Sequence, residues 1–283
     1  MAYLEIEHLK KKFEDQIVID DLSLSLEQGK TLCLIGDSGS GKTTFLRILN
    51  FLESKDNGII KLNNKTIQDD SKLSSKEISV RRENFGLVFQ SFNLFPQYTV
   101  LENILLPVKV KLKKEAKKEA RNFKLLERKK EEKRFYQESL LASKENVARL
   151  LEEVNLSEKK DSYPNKLSGG EAQRAAIIRA LALKPKVMCF DEPTSALDPR
   201  LKNEVANAIL SLKKKGTTMI VVTHEMELAK RVSDDVAFIE KGVIVEKGSK
   251  EILFNPHTQA LKDFLSLERI NEDGEGKKSV ASE

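Results

Sequence analysis

Residues Gly36–Thr43 read GDSGSGKT and lie between an apolar run, TLCLI (Thr31–Ile35), and TTFLRILNFL, where Phe45, Leu46 and Leu49 fall on one helical face. Nothing else in the chain narrows the possible folds so far, because a G-x-x-x-x-G-K-[ST] loop between a buried strand and a helix is the context that phosphate binding requires. Gly36 permits the tight turn, and Gly39 and Gly41 let backbone N–H groups close around phosphate oxygens. Candidate phosphate contacts therefore run through Gly36, Asp37, Ser38, Gly39, Ser40, Gly41, Lys42, Thr43 and Thr44. Lys42 brings a positive charge to the outer phosphates, the Thr43 hydroxyl can ligate Mg²⁺, and the helix N-terminus adds a favourable dipole.

A second glycine pair, in KLSGGEAQR (Lys166–Arg174), also opens a helical run but has no lysine to hold a phosphate. Between the two stretches the pattern changes. LEIEH and IVIDDLSLSL alternate as strands do, and GIIKLNNKTI reads as a hairpin turning at Asn63 and Asn64. From Val108 to Tyr163 there is neither Gly nor Pro, and apolar residues recur at helical spacing (Leu112, Ala116, Ala120, Phe123; Val147, Leu150, Leu151, Val154). Beyond the second glycine pair, Ala175, Ile178, Leu181 and Ala182 give one apolar helix face. VMCF and MIVV then read as buried strands separated by a helix, and FIEKGVIVEKG reads as a closing hairpin. Strands alternating with helices imply a parallel sheet covered on both faces.

The strand VMCF ends in Asp191 and Glu192. Asp191 is placed to hold Mg²⁺, and Glu192 to take a proton from the water that attacks a γ-phosphate. On their own, two acids before Pro193 could equally be an ordinary strand-end turn. MIVV leads to His224, a polar side chain at the carboxyl end of a strand, where α/β sheets place ligands.

Charge and apolar content exclude several classes. No run approaches the roughly 18 uncharged apolar residues that cross a bilayer, and MAYLEIEHLKKKF lacks the apolar core of a signal peptide. The chain is therefore expected in the cytoplasm. Cys33 and Cys189 sit in apolar runs and read as small core residues rather than redox groups. The net charge of +5 is concentrated: Lys109–Arg134 holds 13 Lys or Arg against 5 Glu and nets +8, leaving −3 elsewhere. Without a broad basic face, nucleic acid is an unlikely partner. The basic segment itself has two readings, a solvated extension of a helical lobe or an arm drawn to anionic lipid.

The order of motifs adds to this. The loop at 36–43, Gln90 in LVFQSFNLFP, LSGGE at 167–171, the Asp191–Glu192 pair, SALD at 195–198 and His224 together resemble the ATP-binding cassette of ABC transporters, over about residues 3–268. FNLFPQYTVLEN, DEPTSALDP and TTMIVVTHEM are most similar to the ATPase subunits of bacterial polar amino-acid importers. The resemblance implies an α/β P-loop NTPase cassette: a mostly parallel core sheet flanked by helices, an N-terminal antiparallel β subdomain and an inserted α-helical subdomain. The core would comprise 1–90 and 161–268, the helical subdomain 91–160 with a charged insertion at about 111–136, and 269–283 a disordered tail.

It further implies ATP and Mg²⁺ as cofactors and a head-to-tail homodimer. In that dimer Ser168, Gly169 and Gly170 of one subunit close over ATP held by the other, so the second glycine pair needs no lysine of its own. Phe13 would stack on adenine, although it could instead cap the first strand. Gln90 would contact Mg²⁺, Asp198 would link the two sites and His224 would grip the γ-phosphate. Glu192, His224 and Lys42 would form the catalytic set. Integral-membrane permease subunits, and through them an extracytoplasmic substrate-binding protein, would be the partners, with the chain peripheral on the inner face of the membrane. Lipoprotein-release or efflux ATPases and soluble nucleic-acid-linked cassettes are the alternatives. The signature has Glu171 where amino-acid importers usually carry Gln, and the insertion is roughly 25 residues longer than the family pattern.

Overall fold

The computed structural model describes residues 2–69 and 71–267. The chain opens with β1 (Ala2–Phe13), β2 (Gln16–Glu27), β3 (Thr31–Ile35), α1 (Lys42–Leu49), β4 (Asn57–Leu62) and β5 (Lys65–Gln68). There follow α2 (Ser75–Arg82), β6 (Phe85–Val88), α3 (Val100–Glu119), α4 (Arg128–Glu153) and α5 (Gly169–Leu181). The last part holds β7 (Val187–Asp191), α6 (Pro199–Lys214), β8 (Met219–Val222), α7 (Met226–Val232), β9 (Asp235–Glu240) and β10 (Val243–Ser249). Residues 259–267 are helical as well.

Two compact units emerge. The first comprises the described residues up to Leu87, Lys186–Ser195 and those from Ile209 on; the second comprises Val88–Pro185 and Ala196–Ala208. The first contains an antiparallel sheet in the order β2-β1-β4-β5 and a six-stranded sheet in the order β10-β9-β3-β8-β7-β6. In the latter, β3 runs parallel to β8 and β9, and β7 parallel to β8. Both expected hairpins form. Asn63 and Asn64 (φ 50° and 58°) turn β4 into β5, and Lys241 and Gly242 (φ 48° and 83°) turn β9 into β10, the positive-φ pairs that match strand twist.

The core of this unit joins both sheets. Leu32, Leu34, Cys189, Ile220 and Val222 share one buried cluster with Phe45, Leu46 and Ile48 of α1 and with Leu4, Ile6 and Leu24 of the antiparallel sheet. Phe45 is fully buried, and burial of such a side chain stabilises by about 1.5–3 kcal/mol. The apolar face of α1 thus fixes the helix, and with it the loop that precedes it. Cys33 and Cys189 are free and buried, and burial pushes both thiols up to about 12. They are core residues, as the sequence implies.

In the second unit α3 and α4 form a helical hairpin on which α5 packs. Three differences from the sequence reading have physical causes. Helix α3 starts at Val100 and takes in Pro107, because Thr99 and Glu102 form a capping box that fixes the start earlier than the Pro-free stretch suggests. The contact boundary assigns 161–185 to the helical unit rather than to the core, since α5 lies against α3 and α4. Third, α5 is buried on nearly all sides, Gln173 and Arg174 included, whereas Leu181 and Ala182 are only half-buried. Arg174 pairs with Glu204, and Gln173 Nε2 donates to the Phe89 carbonyl at 3.3 Å.

The charged insertion, about 111–136, completes the hairpin: the end of α3, a 3-10 turn at Ala120–Asn122 and the start of α4. Leu112, Ala116 and Ala120 are buried, as their spacing predicts. Among the described residues no helix is long and apolar enough to cross a membrane. The expected tail, 269–283, lies outside the described residues.

Candidate functional site

Parallel register is what assembles the site. Leu34 pairs with Val222, and Val222 with Asp191, so β3, β8 and β7 end in one row. The hydrogen bonds Glu192 N–H to Val222 O (2.9 Å) and Thr223 N–H to Leu34 O (3.2 Å) extend that row past the strand ends. The phosphate loop, the acidic pair and His224 therefore leave three adjacent strands at the same edge of the sheet, where open α/β sheets bind ligands.

The loop has the shape of an anion cradle. Gly36 has φ 144°, and a Cβ there would run into the Ile239 carbonyl oxygen of β9. Lys42 is 6% exposed, and its Nζ donates to the carbonyls of Gly36 and Asp37, both at 2.7 Å, and to Ser40 Oγ at 3.2 Å. An ammonium folded onto neutral carbonyls keeps its charge for an anion. Burial lowers the Lys42 pKa, while the charges of Glu192, Asp37 and Asp191 work to raise it.

Helix α1 has Gly41 as its N-cap with no side-chain hydrogen bond and no acid in its first turn, unlike α2, α3 and α5, which all have capping boxes. Its first N–H groups have no capping side chain, the arrangement that suits phosphate oxygens at a helix start. Asp37, Ser38 and Gly39 are exposed along the same loop. Gly36→Ala is expected to cost more than about 2 kcal/mol from overlap with backbone and strain. Gly39→Ala, whose Cβ meets nothing within 4 Å at φ 79°, is expected to cost about 1 kcal/mol. Urea midpoints of the two variants check this order.

Thr43 Oγ1 donates to Asp191 Oδ1 at 2.9 Å. Burial pushes the Asp191 carboxyl up, the Thr43 hydrogen bond opposes this, and the Glu192 charge adds to it. A half-desolvated carboxylate beside a hydroxyl and a second carboxylate suits a hard divalent cation, which takes oxygen ligands. Among the described residues no cluster of three or more His, Cys, Asp or Glu could hold a metal by itself. Such an ion would draw its remaining ligands from phosphate and water.

Glu192 follows Asp191 in the left-handed region, at φ 47°. A non-glycine residue there is strained, as is common where function dictates backbone shape. His224 Nδ1 lies 2.9 Å from Glu192 Oε2. That contact holds the Glu192 carboxyl below the usual range; burial opposes it and Lys42 supports it. The carboxylate is thus ionised near neutral pH. Ser195 Oγ, the first residue of the SALD motif but given no role of its own by the sequence reading, donates to the Glu192 carbonyl at 3.1 Å and braces the strained residue. Its position three residues on, typical of a hydroxyl-supported turn, was the available signal.

Phe13 ends β1 and is 42% exposed, with Lys11 Nζ 4.6 Å from its ring centre. An exposed ring at a strand end is compatible both with capping the strand and with stacking on a purine.

In the second unit Ser168 is the N-cap of α5. Its Oγ accepts from Glu171 N–H at 3.2 Å, and its own N–H donates to Glu171 Oε2 at 2.8 Å. The Ser168 hydroxyl also interacts with the Glu171 carboxylate. A Cβ at Gly169 would lie 2.7 Å from Leu197 Cδ2, the movable end of a side chain, and one at Gly170 would meet Leu201 at 3.1 Å. Glu171 puts a carboxylate at the mouth of this helix. Burial tends to raise its pKa, but the Ser168 N–H and the Lys159 ammonium, 3.5 Å away, hold it low. Lys159 is a further residue that sequence reading missed, and it offsets that charge.

Asp198 Oδ1 accepts from the N–H groups of Arg200 (3.0 Å) and Leu201 (3.1 Å) and so starts α6. Gln90 is exposed on the loop after β6 and lines a cavity of about 380 Å³ together with Phe92, Leu94, Pro164, Ala172 and Ala196.

The sequence profile described as "ABC transporter" matches residues 19–195. A second, described as "AAA domain, putative AbiEii toxin, Type IV TA system", matches 163–230. The chain is similar to the arginine transport ATP-binding protein ArtM of Bacillus subtilis (strain 168), with 43% identity over 265 residues, 93% of this chain and 98% of ArtM. Likewise it is similar to the L-cystine transport system ATP-binding protein TcyN of Escherichia coli (strain K12), with 42% identity covering 94% of this chain and 98% of TcyN. Among solved structures, the ATP-binding cassette MJ0796, described as a dimer in a post-hydrolysis state bound to ADP and Pi, matches with TM-score 0.66 and 26% identity. That match covers 87% of this chain and 98% of MJ0796.

Proposed function

We propose, from the premise that this chain belongs to the ABC transporter family, that it is the ATP-hydrolysing subunit of an importer of a polar amino acid. The observation that carries the reading is the row of strand ends that gathers Lys42, Thr43, Asp191, Glu192 and His224 around an uncapped helix N-terminus. ATP binds with its phosphates on loop 36–44 and its adenine against Phe13. Lys42 turns from the loop carbonyls to the outer phosphates. Thr43 and Asp191 would hold Mg²⁺, which would neutralise phosphate charge during transfer. Glu192 takes the proton of the attacking water, and His224, which orients that carboxylate, reaches the γ-phosphate.

The site of one copy is completed by Ser168, Gly169 and Gly170 of a second. Hydrogen-bond donors at the start of α5 meet the γ-phosphate there, and Asp198 couples the two sites. Once the γ-phosphate is gone, so are the contacts that favour the closed pair. A permease subunit contacted near Gln90 would link hydrolysis to transport at the inner face of the membrane. A substrate-binding protein outside the membrane would act through that permease.

The relatives' names favour amino-acid import over lipoprotein release or efflux. The test is to isolate the tagged full chain with the membrane subunits that accompany it and to reconstitute the assembly in vesicles. Uptake of arginine, cystine or glutamine that needs ATP on the side of this chain is the expected result. Extraction of a lipoprotein or outward movement of a drug, with no amino-acid uptake, would overturn it.

A further inference from the structure

The basic hairpin takes no part in the chemistry above, yet it is a built feature. Phe123 and Phe135 meet with ring centres 6.0 Å apart, and Arg134 pairs with the mostly buried Glu131 at 2.8 Å. Arg128 closes the tip by donating to the carbonyls of Phe123 (3.1 Å) and Arg121 (3.3 Å). Held at that closed tip are two apolar side chains that cover nothing: Leu125 is 77% exposed and Leu126 97%. Behind them a cleft of about 630 Å³ is lined by five lysines, Ala116, Tyr136 and a single carboxylate, Glu132.

We propose that this hairpin is a foot for an anionic lipid surface: Leu125 and Leu126 enter the headgroup–acyl boundary while the lysines behind them face lipid phosphates. Lysines alone would serve nucleic acid or soluble polyphosphate equally well. The leucines decide between these, because such ligands gain nothing from a pair of exposed aliphatic tips, whereas a bilayer receives them. Charge agrees, since the segment Lys109–Arg134 nets +8 and the remainder of the chain −3. Binding to a membrane surface scales with the apolar area inserted plus the attraction to anionic lipid, and the hairpin offers both. Each cation near an anionic surface contributes about five-fold in partitioning, which falls as salt shortens the screening length. The proposal holds whichever cargo the transporter moves, and its test needs no permease.

The test is sedimentation of the purified full chain with vesicles of phosphatidylglycerol and phosphatidylcholine, against vesicles of phosphatidylcholine alone. Binding only to the anionic vesicles, weakened at high salt, is expected. Lys117→Glu/Lys129→Glu/Lys133→Glu should lower it about 100-fold, and Leu125→Ser/Leu126→Ser at least about 10-fold, both with ATPase activity unchanged. No binding by the unaltered chain overturns the proposal. So does unchanged vesicle binding by the leucine variant, or a duplex DNA shift that the lysine variant abolishes and vesicles do not compete away, since each leaves only a generic polyanion patch.

Discussion

Glu192→Gln is expected to lower ATP turnover by about 10²–10⁴-fold, the size associated with loss of a general base, while ATP still binds. The substitution is nearly isosteric, so the left-handed turn at φ 47° and its brace from Ser195 survive. An amide can still meet His224, but it cannot take a proton from water. The phosphate loop keeps its own internal hydrogen bonds, all of which arise from Lys42 and the backbone. With Mg²⁺ and ATP present, the variant should therefore accumulate as a nucleotide-bound dimer on a sizing column. Turnover within a few-fold of the unaltered chain would remove Glu192 from the role of base, and loss of ATP binding would mean that it supports the fold instead.

Ser168→Arg and Lys42→Ala should each abolish most hydrolysis, for different reasons, and a mixture of the two should recover part of it. Lys42→Ala removes the charge that a bound phosphate replaces carbonyls around, and so weakens ATP binding itself. Ser168→Arg leaves that loop intact but replaces the small N-cap of α5 with a long charged side chain and removes the capping box with Glu171. In a mixed dimer one site pairs a normal loop with a normal signature, and the other combines both defects. Recovery toward half of the unaltered rate per mixed dimer is the measurement. Two inactive proteins that stay inactive when mixed, although they form dimers, would rule out sharing of the site between copies.

Much of this was legible before any coordinates. GDSGSGKT between a strand and a helix, and two acids at the end of another apolar run, carry their chemistry in local order, because backbone N–H groups and neighbouring side chains need no distant partner to form a cradle. The two hairpins were legible for the same reason: Asn63, Asn64 and Gly242 tolerate positive φ between runs that read as strands. Phe13 was open to two readings because exposure is not written in local sequence. The burial of α5 on almost every side was not legible either, since Gln173 and Arg174 break its apolar pattern. Their partners, the Phe89 carbonyl and Glu204, lie far off in the chain.

By itself, then, the amino-acid order determined which groups this chain brings to phosphate and in what sequence, together with the alternation that makes its core sheet parallel. Tertiary structure decided the rest. It set the common row in which β3, β8 and β7 end, the Ile239 carbonyl that forbids a side chain at residue 36, the strained backbone of Glu192 with His224 against it, and the two leucines at the tip of the charged hairpin. The reason is one of range. Turns and caps are settled by interactions within a few residues, whereas register, burial and the direction of a side chain are settled by segments about a dozen to two hundred residues apart that the sequence does not show side by side.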